Sequence, residues 1–280
     1  MRRALARLEH TCALNPCRAV MDVSATCGKL VGDMIRLLII ATAFALCLQA
    51  TPTRAQQAER QCGSMDVVFV LDVSGSMWGA LLSIQRQSIR LLDDIEQLSG
   101  GDYRLGLVVF REYIQVLDDL NASPTPSTKK ESVAHNLSRL GAAGGEQIPE
   151  ASADALATVL NRLPPDGEYR IGNFDGAFEG DVRIVILITD QLPGGFDDLY
   201  TPGEDDALAD NLARQAASMN IRISAVYVPT PVWPEAEVER IMQNYANRTE
   251  GIYIRTDRRG EGVGDGIADI LASCGERLMS

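Results

Sequence analysis

Histidine is almost missing from this chain, with His10 and His135 the two examples in 280 residues. That leaves too little to build a His-rich zinc centre or a His-based catalytic triad. Basic residues are also in deficit, 26 Lys and Arg against 38 Asp and Glu, for a net charge of −12. A surface of that sign repels nucleic acid and anionic lipid. The sequence contains no G-x-S-x-G, no H-E-x-x-H and no glycine-rich phosphate loop, so the commonest hydrolase and nucleotide-binding signatures are absent. Nor does an internal repeat or a linker divide it. What remains is 46% hydrophobic and 23% charged, enough to bury a core as one large domain or two small ones and too apolar for wholesale disorder.

The N-terminal stretch reads as a leader. From Met34 one Arg precedes an apolar run, Leu37 to Leu48, and Thr53-Arg54-Ala55 supplies a small-x-small cleavage site. Twelve apolar residues rise only about 18 Å as a helix, short of the roughly 30 Å hydrocarbon core, so a cleaved signal is expected rather than an anchor. Phe44-Ala45-Leu46 ahead of Cys47 lacks the small residue of a lipoprotein signal. Residues 1–33 put three acidic residues and three cysteines upstream, which points to translation starting at Met34 or Met21. The expected organisation is an upstream extension at 1–33, a signal peptide at 34–55, a short segment at 56–63 and one domain at 64–277. Cleavage after Ala55 leaves 19 basic against 35 acidic residues, a net charge of −16. It also removes four of the six cysteines. Cys62 and Cys274 remain at opposite ends of an exported domain and are expected to pair. Closing so long a loop is worth roughly 4–5 kcal/mol in the chain-entropy model.

The rest alternates strand and helix. MDVVFVLD (65–72) and RIVILITD (183–190) are nearly continuous apolar runs rich in β-branched residues, the profile of strands buried on both faces. Helical patterns at 79–99, 128–140, 150–163, 205–220, 234–246 and 261–277 intervene, with further strands at 103–113, IQVL, 221–228 and 251–254; IQVL is expected at the sheet edge. The expectation is α/β: a single doubly wound, mostly parallel sheet flanked by helices.

Such sheets bind ligands at the carboxyl ends of their strands. The first strand ends in Asp72-Val73-Ser74-Gly75-Ser76, directly before the first long helix, and the later buried strand ends in Thr189-Asp190. Buried carboxylates are costly unless paired or bound to a cation. Two hydroxyls beside Asp72 add hard oxygen donors, which suit Mg²⁺, Mn²⁺ or Ca²⁺. The plainer reading is that Ser74 or Ser76 caps the helix and Asp190 closes a turn.

VVFVLDVSGSM followed by RIVILITD resembles the von Willebrand factor A domain with its metal-ion-dependent adhesion site, over roughly residues 64–277. The resemblance implies an exported, bacterial binding protein in which Ser74 and Ser76 hold a divalent cation directly while Asp72 and Asp190 act mainly through water. An open coordination position would accept an acidic oxygen from a protein partner. The usual Thr after a Gly-Gly pair is replaced: Gly144-Gly145 is followed by Glu146-Gln147. GGEQIPEA and ITDQLPGG are similar to a branch carrying G-G-G-D-x-P-E and I-T-D-x-P-P. Glu146 or Gln147 falls at that branch's Asp depending on the anchor; Glu146 is the better hard-cation ligand. A third carboxylate would raise metal affinity and soften the metal's demand for an acidic partner.

Other features carry less. FDDLYTPGEDD (196–206) reads as a solvated loop and helix start or an acidic second cation site, and PPDGEYRIGNFDGAFEGD as a surface loop or a calcium loop. Trp78 faces a partner or packs on the first helix, and Arg255, Arg258 and Arg259 are too few for nucleic acid. The function expected is a non-enzymatic, periplasmic or secreted protein-binding module, with no membrane insertion after cleavage and no nucleic-acid partner. The alternatives are a structural or regulatory domain with a degenerate site and, further off, a Mg-dependent hydrolase. Asp72 resembles the nucleophile of haloacid-dehalogenase-type phosphatases, but Ser74 stands where these carry their general acid.

Overall fold

The computed structural model describes residues 62–121, 125–145, 151–195, 200–231 and 234–275. The leader and Glu146 lie outside them.

Strand β1 (Met65–Asp72) is buried along its whole length. It pairs in parallel on one side with β2 (Tyr103–Phe110) and on the other with β5 (Val182–Thr189). Strands β6 (Arg222–Tyr227) and β7 (Tyr253–Arg255) extend the sheet beyond β5. On the other side β3 (Ile114–Asp118) runs antiparallel to β2. The two-residue β4 (Arg170–Ile171) closes that edge. The order is β4-β3-β2-β1-β5-β6-β7, with β1 in the centre as its unbroken apolar run requires. The expected edge strand, IQVL, is therefore one position in from the edge. A two-residue pairing inside a Gly- and Asp-rich connection gives no periodic signal that would reveal β4.

Alternate residues of β1 enter two cores. Val67, Phe69 and Leu71 pack with helices α1 (Trp78–Leu98), α2 (Pro126–Arg139) and α6 (Val263–Ala272). Val68 and Val70 face α3 (Ser152–Asn161), α4 (Glu204–Ser218) and α5 (Glu235–Arg248). Helices on both faces of a mostly parallel sheet are the doubly wound α/β arrangement. One polar residue interrupts the apolar reading of β1. Asp66 is buried, takes Arg104 through Nε at 2.7 Å and Nη2 at 2.6 Å, and accepts the Glu179 and Gly180 amides at 2.6 and 2.7 Å. The carboxylate is thus fully satisfied, which is what allows it in the strand.

Cys62 and Cys274 form a disulfide with Cα atoms 5.6 Å apart, across a sequence separation of 212. Helix α6 ends at Ala272, short of the expected 277. Cys274 follows with φ 54°, and its carbonyl accepts Arg222 Nη1 at 3.2 Å.

Candidate functional site

Parallel registry sets the site. Leu71 pairs with Ile188 across β1 and β5, so the residues just beyond, Asp72 and Thr189-Asp190, emerge on the same carboxyl rim. Asp72 is fully buried. Its Oδ1 accepts the Ser74 amide at 2.9 Å and its Oδ2 accepts the Thr189 hydroxyl at 2.7 Å. The chain then turns through a single 3₁₀ turn, Gly75–Met77, into α1. Ser74 makes no side-chain capping bond to that turn. Instead the Ser74 and Ser76 hydroxyls lie 3.1 Å apart, the first buried and the second exposed. The capping explanation of Ser74 is thereby set aside.

Asp190 is the unusual group. It is buried, and both of its carboxyl oxygens lack a hydrogen-bond partner. The Thr230 hydroxyl, beyond the end of β6, is buried without a partner as well. Burial pushes the Asp190 carboxyl up; the Ser76, Thr230 and Gln191 side chains stand near enough to oppose the rise in part, although none meets its oxygens in good hydrogen-bond geometry. Burial also raises Asp72, to about 7; the nearby Asp190 charge adds to the rise, while bonds from Thr189 and Ser74 oppose it. Two carboxylates that disfavour each other, two converging hydroxyls and orphaned oxygens form an incomplete set. A hard divalent cation completes it by neutralising both charges and taking the free lone pairs. Among the described residues no group of three or more His, Cys, Asp or Glu that could hold a metal gathers anywhere, this rim included; the donors described here are two carboxylates and two serine hydroxyls.

The third loop docks here too. Gly75 donates to the Gly144 carbonyl at 3.1 Å and Ala143 donates to the Val73 carbonyl at 3.1 Å. The Gly145 amide donates to Glu112 Oε1 at 2.8 Å, and Arg111 Nη1 donates to the Ala143 carbonyl at 2.6 Å. Glu146 follows Gly145 directly and is outside the described residues. Sequence reading passed over Thr189 as an orienting donor, Thr230, and the Arg111-Glu112 pair that holds this loop. Thr189 was visible as the residue before Asp190, whereas Thr230 and Glu112 reach the rim only through strand order.

Of the 196–206 loop, residues 196–199 lie outside the described residues; the described acids of the secondary candidates make structural bonds. Asp205 accepts the Thr201 amide at 2.6 Å and Asp206 the Gly203 amide at 3.2 Å, so these acids cap the start of α4. Asp166 accepts three backbone amides in the next loop at 2.8–3.0 Å. Arg255 and Arg258 bind Glu235 at 2.5 Å each. His135 is exposed on α2. Trp78, the first residue of α1, is 57% exposed.

A profile described as the von Willebrand factor type A domain matches residues 66–259. A search of curated proteins found no match. Among solved structures, the fold is similar to the vWF domain of the type V pili tip protein Mfa5 from Porphyromonas gingivalis. There the TM-score is 0.53 at 13% identity, covering 78% of this chain and 98% of that one. It is also similar to proximal thread matrix protein 1 from the mussel byssus, solved with a zinc-occupied MIDAS motif. That match has a TM-score of 0.50 at 16% identity over 77% of this chain, which spans about half (47%) of the mussel protein. At such identities the likeness carries the fold, and the profile match carries the family. The chain belongs to the von Willebrand factor type A domain family.

Proposed function

We propose that this protein is an exported binding module that engages a protein ligand through a divalent cation at the rim of its sheet. Ser74 and Ser76 would hold the ion directly, Asp72 and Asp190 mainly through water, and Glu146 would add a third carboxylate. The observation that carries this reading is Asp190: two buried carboxyl oxygens with no partner, beside a second buried carboxylate. When bound, the ion supplies a concentrated positive charge with room for an oxygen from a partner. The protein's own residues fix the donors: Thr189 and the Ser74 amide lock the Asp72 carboxylate, and the Gly144–Gly145 loop abuts the serine turn. The zinc-occupied site of the mussel protein and the pilus-tip relative support a cation and a role outside the cytoplasm. Magnesium is the ion we favour, with manganese or calcium as substitutes.

Export by a signal at 34–55, with periplasmic or secreted residence, accords with the Cys62–Cys274 bridge, because such bonds persist in oxidising compartments. Among the described residues no helix is long and apolar enough to cross a membrane. Binding is favoured over catalysis because Ser74 stands where a phosphatase of the resembled type needs its acid.

The test is thermal unfolding with magnesium and with chelator. Magnesium should raise the melting temperature of the wild type by several degrees and leave Ser74→Ala unmoved. A wild type indifferent to magnesium and manganese refutes the reading.

A further inference from the structure

The segment after β6 buries a polar group for which the fold itself has no use. It reads Val228-Pro229-Thr230-Pro231, and Thr230 is buried with no hydrogen-bond partner for its hydroxyl among the described residues. A buried hydroxyl without a bond is a cost, and valine fills nearly the same shape without it. The segment is also firmly held. The Val228 amide donates to the Thr189 carbonyl at 3.1 Å, and the Thr256 amide donates to the Tyr227 carbonyl at 2.9 Å. Pro229 locks its own φ, and Pro231 disfavours helical conformations at Thr230. The backbone thus fixes where this hydroxyl sits.

Strand order brings it to Asp190. Thr189 pairs with Tyr227 across β5 and β6, so the residues just past both strands emerge on the same carboxyl rim. Strand β5 lies between β1 and β6. Asp190 is therefore flanked by the serine turn after β1 and by Thr230 after β6, and Ser76 and Thr230 both stand near enough to act on its carboxyl. Among the described residues neither Asp190 oxygen has a partner, and neither does the Thr230 hydroxyl. An orphaned acceptor and an orphaned donor in one buried place complement each other. Asp χ2 is a soft torsion and the hydroxyl proton rotates, so the bond closes without backbone movement.

We infer that Thr230 is a positioning residue of the cation site: its hydroxyl donates to one Asp190 oxygen and leaves the other for the cation and its water. Thr189 already holds Asp72 Oδ2 in the same way, at 2.7 Å. A bond to an ionised carboxylate is stronger than a neutral one, and a bound cation keeps Asp190 ionised. The inference rests on the cation reading above.

The test is calorimetric titration of magnesium into the intact chain and its Thr230→Val, Thr230→Ser and Thr230→Ala variants, with thermal unfolding of each in chelator. Val keeps the shape and removes the hydroxyl, Ser keeps the hydroxyl, and Ala removes both. Groups that orient a metal ligand carry much of its affinity, so Val and Ala should bind about tenfold more weakly and Ser within about twofold of wild type. In chelator Val should melt at or above the wild-type temperature, because an unsatisfied buried hydroxyl has been removed. A lower melting temperature with unchanged magnesium affinity would make Thr230 merely structural. Wild-type affinity in Val, or equal weakening in Ser and Val, overturns its positioning role while the cation site stands. Should Val not fold, Ser against Ala decides the same question. A wild type that binds no magnesium overturns the site and the role of Thr230 together.

Discussion

At the scale of single residues, the site turns on a conflict between Asp72 and Asp190. Both carboxyls are raised by burial, and the charge on Asp190 lifts Asp72 further. A group whose folded pKa lies above its unfolded value stabilises the fold when protonated, and that stability is lost as pH rises through the folded value. The window runs from the unfolded 3.8 up to about 7. Carboxylates held below their usual range by ion pairs and hydrogen bonds, such as Asp206 and Asp210, are ionised in both states above pH 5 and do not counter this. In chelator, therefore, the melting temperature should fall between pH 5 and pH 8; with saturating magnesium the fall should vanish, because the cation binds the ionised pair. A chelated protein with equal stability at both pH values would show that the two carboxylates are not in conflict. These acids were legible in the sequence, since each ends a nearly continuous apolar run where an ionised group needs a reason. Asp66 was not, because one acid inside MDVV reads as noise until Arg104 and two amides surround it.

At the scale of elements, strands β1 and β5 and helix α1 could be read closely because long runs of one periodicity override local exceptions. The start of α1 shows where sequence reading stops. Helix propensity favours Gly79→Ala by about 1 kcal/mol, yet the added Cβ would sit 1.8 Å from the Arg259 carbonyl. A backbone oxygen cannot swing away as a side chain does, so the clash wins. Gly79→Ala should destabilise by about 1–3 kcal/mol, measured by urea unfolding. A stabilised variant would mean that the Arg259 loop is not held against α1. β4 escaped sequence reading for a related reason: two residues of a loop pair with a distant strand, and nothing in their own sequence has a period.

At the scale of the whole molecule, opposite ends of the sheet carry different tasks. The amino end of β1 begins three residues after Cys62, whose amide donates to the Leu98 carbonyl at 2.6 Å and whose sulfur joins Cys274. The carboxyl end carries Asp72, Ser74, Ser76 and Asp190. Pairing the two cysteines was foreseeable from their places near the ends of the domain, because termini of compact domains often lie close together. The family was foreseeable from D-V-S-G-S and the later T-D, whereas the partner is written in no motif. The scarcity of histidine fits the donor set, in which oxygens alone face the candidate ion. The most direct measurement is calorimetric titration of magnesium, and then manganese, into the metal-stripped chain, beside Asp190→Ala and the surface control Glu179→Gln. The account predicts one saturable site in wild type and control and none in Asp190→Ala. Equal binding by wild type and Asp190→Ala, or no binding by the wild type, would contradict it.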